Sequence, residues 1–233
     1  MTNAETSKPL SGRVLLITGA GDGLGRATAL ATAQAGATVV LLGRTIKKLE
    51  ASYDAIVDAG GPQPAIVPLN LNGAAFNDYL TLAETLTAQC GRLDGLIHCA
   101  AHFTGFMRLA ELAPKDWMDG LQTNLTSAWI LTRTCLPLLE LSSAANVVFV
   151  TDAAGSQPKA YHGIYGISKA AIEAMSASWA LETAATHPQL KFQTFNPGPM
   201  RTSVRVKGYA GESPQATPPP AAAAGRLLAL LLP

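Results

Sequence analysis

The chain has 233 residues, 48% of them hydrophobic and 14% charged, with a formal net charge of +1. That is enough apolar material for one sizeable core, while the small charge and the lack of a dense Lys/Arg cluster exclude the electrostatic footprint of a nucleic-acid binder. No run reaches the roughly eighteen apolar residues of a membrane span, residues 1–9 lack the apolar centre of a signal peptide, and Cys90, Cys99 and Cys135 show no disulfide framework, so a cytoplasmic setting is expected.

Residues 1–9 read as a flexible N-terminal segment and residues 10–233 as a single domain. Strands are predicted near 13–18, 38–42, 64–69, 94–98, 145–151 and 190–196, and helices near 23–35, 45–59, 75–90, 114–139, 162–185 and 221–232. Strands alternating with helices in this way point to a doubly wound α/β fold, a parallel sheet with helices on both faces. After Asn196-Pro197-Gly198-Pro199, residues 203–217 are polar, contain Gly and Pro, and read as a loop able to close over a substrate.

Residues 13–25, RVLLITGAGDGLG, place an apolar strand before a glycine turn that opens a helix near Gly23. Such a turn can cradle a phosphate, because glycines let the backbone approach and the helix N-terminus offers unpaired N–H groups. The spacing Gly19-x-x-x-Gly23-x-Gly25 is neither Gly-x-Gly-x-x-Gly nor a P-loop. Further along, Tyr165 and Lys169 are four residues apart, on one face of a helix. A cation held ~4–6 Å from a phenol favours the phenolate, so the pair is expected to make Tyr165 a usable general acid or base.

With these residues the chain resembles the short-chain dehydrogenase/reductase family, from about residue 10 to residue 231. The family's Thr-Gly-x-x-x-Gly-x-Gly turn matches Thr18, Gly19, Gly23 and Gly25; its helix asparagine matches Asn124; its active-site pair matches Tyr165 and Lys169; its Pro-Gly turn matches Pro197 and Gly198, followed by Thr202. The stretches LLGR, LPLL and NPGPMRTSVR and the Pro-rich tail are similar to a bacterial YciK-like branch of that family. The resemblance implies a Rossmann fold, a dinucleotide on the turn Thr18, Gly19, Gly21, Asp22, Gly23, Leu24 and Gly25, and further contacts from Asn70, Leu71, Cys99, Ala100, Ala101, Pro197 and Gly198. It implies that Asn124 anchors a water in a proton relay, that Lys169 also holds the nicotinamide ribose, and that Thr202 touches the carboxamide.

Several positions depart from the family pattern. His98-Cys99-Ala100-Ala101 stands where Asn-Asn-Ala-Gly is usual, so Ala101 replaces a glycine at a cost in backbone freedom. Asn70 replaces an acid, with an amide that still hydrogen-bonds. The largest departure is Asp152, thirteen residues before Tyr165, where the family places a serine. An ionised carboxylate about 4 Å from a phenolate costs about 4 kcal/mol at an effective dielectric near 20, enough to raise the pKa of Tyr165 by up to about three. Asp152 is open to three readings: protonated and donating like a serine, accepting from a substrate hydroxyl or amine, or marking weak or specialised catalysis. The third is favoured, since Lys169 should keep the acid ionised.

Gly43 stands where an acid would bind the ribose 2′-hydroxyl, and Arg44 offers a planar fork for a 2′-phosphate, so NADP(H) is preferred and NAD(H) is possible. Phe103, Phe106, Met107, Tyr161, His162 and Tyr209 would flank the open side of the nicotinamide and make a mainly apolar pocket, or serve only as packing. His98, Cys99 and His102 are close in sequence but lack a fourth ligand, so no metal is expected. The expected activity is hydride transfer between NADP(H) and a carbonyl or alcohol, with Asn124, Asp152, Tyr165 and Lys169 catalytic. The alternative is a dinucleotide-binding regulator with little catalysis. The family's usual seventh strand is expected to be missing, through truncation or because association uses other surfaces. A homodimer through the helices bearing Asn124 and Tyr165 is expected.

Overall fold

The structure is a computed structural model and describes residues 8–232; residues 1–7 of the expected N-terminal segment lie outside the described residues. Six parallel strands form one sheet: β1 (Val14–Thr18), β2 (Thr38–Gly43), β3 (Ala65–Pro68), β4 (Gly95–His98), β5 (Ala145–Val150) and β6 (Leu190–Phe195). Their spatial order is β3-β2-β1-β4-β5-β6, with Thr18 level with Leu42 on one side and His98 on the other. No seventh strand occurs among the described residues.

Strand pleating sends alternate side chains to opposite faces, and the core divides accordingly. Leu15, Ile17, Val39 and Leu41 pack with α1 (Gly23–Gln34), α2 (Ile46–Asp58) and, as introduced below, the last helix. Leu16, Val40, Leu42 and Phe149 pack on the other face against α3 (Phe76–Cys90) and two later helices. Each such fully buried side chain contributes about 1.5–3 kcal/mol. Burial on both faces explains why the strands read as apolar runs rather than alternating ones.

Helix ends follow local chemistry. Asp22 caps α1 by accepting from the Gly23 N–H at 2.7 Å, Asp78 reaches back to the Ala75 N–H at 2.8 Å at the start of α3, and Gly91 ends α3 in the left-handed region at φ 71°. The helix expected over 114–139 is divided into α4 (Pro114–Leu121), a π-helical turn at Gln122–Thr126, and α5 (Ser127–Glu140). A π turn inserts a residue and displaces the ladder locally. Asn124 lies in it.

Two short helices were not expected. α6 (Ala153–Ser156) follows β5 and is capped by Asp152, and it precedes α7 (Gly163–Thr183). In the segment 203–217, where a loop is expected, α8 (Ser203–Gly208) and a 3-10 turn at Pro214–Ala216 form instead. Arg205 holds Glu212 through two bonds of 2.7 Å and stacks 3.5 Å above the Tyr209 ring, which folds the segment onto itself. The last helix, α9 (Pro220–Ala229), lies against α1.

Candidate active site

The carboxyl ends of the strands open into a cleft of about 910 Å³, at the place where strand order reverses between β1 and β4. That crevice is where open α/β sheets bind ligands. The turn leaving β1 forms one end. A Cβ on Gly25 would lie 2.3 Å from the Gly19 carbonyl oxygen, and Gly19 itself sits at φ +67° with its missing Cβ 3.0 Å from the Ala100 backbone. Only glycine fits at either position. Thr18 Oγ1 accepts from the Ala100 N–H at 3.0 Å, tying the ends of β1 and β4 together behind the turn.

The turn has a partner that the sequence reading missed. Lys48 Nζ lies 2.6 Å from Asp22 Oδ2, and this hydrogen bond holds the Asp22 carboxyl below its ordinary pKa. The basic run Arg44-Thr45-Ile46-Lys47-Lys48 was the available signal. Arg44 is exposed at the cleft edge with no hydrogen bond or ion pair to any described residue, and the Thr45 side chain makes no capping bond. Asn70, also exposed, accepts from the Asn72 N–H at 3.3 Å, and Leu71 beside it is buried.

The opposite end holds the titratable groups. Lys169 is buried, donates to the Val150 carbonyl at 2.7 Å, and has its Nζ 5.5 Å from the centre of the Tyr165 ring. Burial pulls the lysine down to about 8, opposed by the charges of Asp152 and Cys99. The expectation that Lys169 makes Tyr165 more acidic is not met here: burial pushes the phenol up, and the Asp152 carboxylate pushes it the same way. Asp152 Oδ1 accepts from the Ala154 N–H at 2.8 Å, a capping bond a serine could also make. Its second oxygen has no hydrogen-bond or ion-pair partner among the described residues and is open to the cleft.

Asn124 stands behind this wall. Its amide accepts from the His102 N–H at 2.6 Å and donates to the His102 carbonyl and to Ser168 Oγ, both at 3.0 Å; Ser168 in turn donates to the Tyr165 carbonyl at 2.8 Å. Ser168 is a linking residue that sequence alone did not flag.

Gly19, Gly21, Asp22, Gly23, Leu24, Gly25, Arg44, Asn70, Leu71, Cys99, Ala100, Ala101, Asp152, Tyr165, Lys169, Pro197, Gly198 and Thr202 all line the cleft, whereas Thr18 and Asn124 support it from behind. Ala101 escapes the expected backbone cost, because the one non-glycine described with positive φ is Tyr161, at 69°. Phe103, Phe106, His162 and Tyr209 face the cleft, whereas Met107 and Tyr161 do not. Tyr161 is instead exposed on a second groove with Arg108 and Ile167.

Burial pushes the Cys99 thiol up to about 12. His98 stacks on Phe149 at 4.8 Å and bonds to Thr132 at 2.9 Å, and among the described residues His98, Cys99 and His102 do not bring their ligand atoms together. Among the described residues, His102, Asp116 and Asp119 do place ligand atoms within 4.8 Å of one another; Asp119 is paired there with Lys115 at 2.5 Å.

A dinucleotide-type glycine turn, a parallel six-stranded sheet and a Tyr-Lys pair at one crevice define an oxidoreductase of the dehydrogenase/reductase class. The chain belongs to the short chain dehydrogenase family, whose model matches residues 13–212. It is 36% identical over 212 residues to the uncharacterized oxidoreductase YciK of Escherichia coli (strain K12), covering 91% of this chain and 83% of that protein. Among solved structures, a short chain dehydrogenase from Shigella flexneri 2a str. 301 complexed with NADP superimposes with TM-score 0.94 at 34% identity, over 98% of this chain and 94% of that one. One from Escherichia coli CFT073 complexed with NADPH gives TM-score 0.93 at 35% identity with the same coverage. No helix among the described residues is long and apolar enough to cross a membrane.

Proposed function

We propose that this protein binds NADP(H) and transfers a hydride between the nicotinamide and the carbon of a small carbonyl or alcohol, with Tyr165 as the proton donor or acceptor. The observation that carries the reading is the placement of Tyr165 and Lys169 in the same cleft as a turn that only glycine can make. The residues present fit the cofactor: without a Cβ at Gly19 and Gly25 the turn closes tightly against Ala100 and on itself at the mouth of the cleft, at the N-terminus of α1, and Arg44 lies exposed at the cleft edge with no hydrogen bond or ion pair to any described residue. The relatives crystallised with NADP and NADPH support the same choice. When bound, the dinucleotide supplies or takes up the hydride.

The chain's own residues do the rest. Gly19, Gly21, Asp22, Gly23, Leu24 and Gly25 hold the phosphates, with Thr18 fixing the turn. Arg44 selects the 2′-phosphate, and Asn70 and Leu71 flank the adenine. Cys99, Ala100, Ala101, Pro197, Gly198 and Thr202 bound the nicotinamide end. Tyr165 carries the proton and Lys169 supplies nearby positive charge, while Asn124 positions the main chain that leads into the site. Phe103, Phe106 and Tyr209 make the substrate side mainly apolar. Asp152 slows reduction of ordinary carbonyls, because negative charge building on the substrate oxygen meets a carboxylate.

Exposed Trp129 on α5 and Ile167 and Leu181 on α7 support a homodimer through those helices. Calorimetric titration with NADPH and NADH, followed by NADPH oxidation over a carbonyl panel, tests the reading. NADPH should bind at least tenfold more tightly than NADH, and turnover should vanish in Tyr165→Phe. Cofactor binding with no turnover on any substrate would favour a regulator, and absence of binding would remove the proposal.

A further inference from the structure

Resting on the hydride-transfer reading above, we infer that Asp152 directs this site to a protonated carbon–nitrogen double bond, a cyclic iminium in particular, in preference to a ketone or aldehyde. Three observations converge on it. Asp152 offers one free carboxylate oxygen to the cleft and makes no ion pair with any described residue. Lys169 is close enough to feel the Asp152 charge yet makes no ion pair with it, donating to the Val150 carbonyl at 2.7 Å. The same cleft carries an aromatic cluster: Phe103 packs edge-on against Tyr165 at 5.2 Å and against Phe106 at 5.3 Å, and Phe106 meets Tyr209, whose own face is covered by Arg205, at 5.1 Å. Aromatic rings and an unpaired carboxylate lining one cleft are a setting for a flat organic cation.

The chemistry separates the two substrate classes. A carbonyl gains negative charge on oxygen as the hydride arrives, and an acceptor-only group beside it opposes that change. A protonated C=N bond needs no such help. Its carbon accepts the hydride from NADPH, the π pair becomes the nitrogen lone pair, and neutral amine and NADP⁺ result, with no proton required from the protein in that step. Water then protonates the amine. Before the step, a carboxylate near the nitrogen keeps the imine in its protonated, electrophilic form. Tyr165, held in the phenol form by burial and by Asp152, is a weak proton donor for the carbonyl route, and the iminium route does not call on it.

The test compares two molecules of one bicyclic frame, 3,4-dihydroisoquinoline and 1-tetralone, as NADPH-dependent substrates of the wild-type protein, Asp152→Asn and Asp152→Ser. The wild type should favour the imine in kcat/KM, and the imine-to-ketone ratio should fall at least tenfold in both variants. A second readout is free of turnover: 1,2,3,4-tetrahydroisoquinoline titrated into the NADP⁺ complex should bind at least tenfold more weakly in Asp152→Asn, a loss larger than any change in NADPH affinity. A ratio that stays within twofold, or ketone reduction with the imine left untouched, would overturn this inference and leave the hydride-transfer reading intact. Failure of the wild type to bind NADPH would overturn both.

Discussion

The side-chain amide of Asn124 clasps the main chain of His102 from both sides, accepting from its N–H at 2.6 Å and donating to its carbonyl at 3.0 Å. Asn124 lies in the π turn at Gln122–Thr126, and its amide is completed by Ser168. Replacing Asn124 by Asp removes both donated bonds and sets a carboxylate against two oxygens. The unfolding free energy should fall by about 1–3 kcal/mol, measured by urea titration. An unchanged midpoint would show that the amide does not hold this wall.

Arg44 stands at the cleft edge with no hydrogen bond or ion pair to any described residue, and Arg44→Asp replaces it with a group that repels a 2′-phosphate and can bond a 2′-hydroxyl. The ratio of NADPH to NADH affinity should drop by about 10- to 100-fold, equivalent to about 1.4–2.8 kcal/mol. A ratio that does not move would transfer the selection to another group, Lys48 being the next cation at that edge.

Asp152 and burial act in the same direction on Tyr165. Asp152→Ser should therefore lower the phenol's pKa and raise turnover of a generic ketone, by about tenfold if the change is near one pH unit. For alcohol oxidation, where the phenolate is the base, the rising limb of the pH–rate profile should move to lower pH. A limb that stays in place would mean that Asp152 does not act on the tyrosine.

His98 is buried against Phe149 and Thr132, and burial lowers it to about 3, with Lys169 adding to the shift. The folded-state value lies below the unfolded one of about 6.5, so the neutral ring's contribution is fully present above that pH and is lost as pH falls toward 3. Between those limits this residue should cost up to about 1.4 kcal/mol of stability per pH unit. The slope of unfolding free energy against pH should be shallower in His98→Asn. Equal slopes would show that the histidine is protonated in the fold.

The strands and most helices were legible because they depend on local pattern: apolar runs for a sheet covered on both faces, and a glycine turn opening a helix near Gly23. The Tyr165–Lys169 pair was legible for the same reason, since four residues make one helical turn. What was hidden depends on tertiary contact. Nothing local marks the π turn around Asn124, which the clasp on His102 accompanies. α8 is short and polar, and Arg205, Glu212 and Tyr209 hold it together. The part of the Tyr165 shift that comes from Asp152 was legible, whereas the larger part, from burial of the ring, was not, because composition does not disclose burial. Tyr161 was read as a pocket residue and stands exposed on the neighbouring groove.

α9 meets α1 through small side chains: Ala223 and Ala224 share a packed layer with Ala29 and Ala33, closed by Leu227 and Leu231. Two helices touching through methyl groups run close together, with little slack for a sideways shift. The opposite end of α1 is the rim of the glycine turn. A bulky insertion such as Ala224→Phe would thus tilt the floor on which the dinucleotide's phosphates are to rest, and its damage would register as weaker nucleotide capture at a distance from the altered seam.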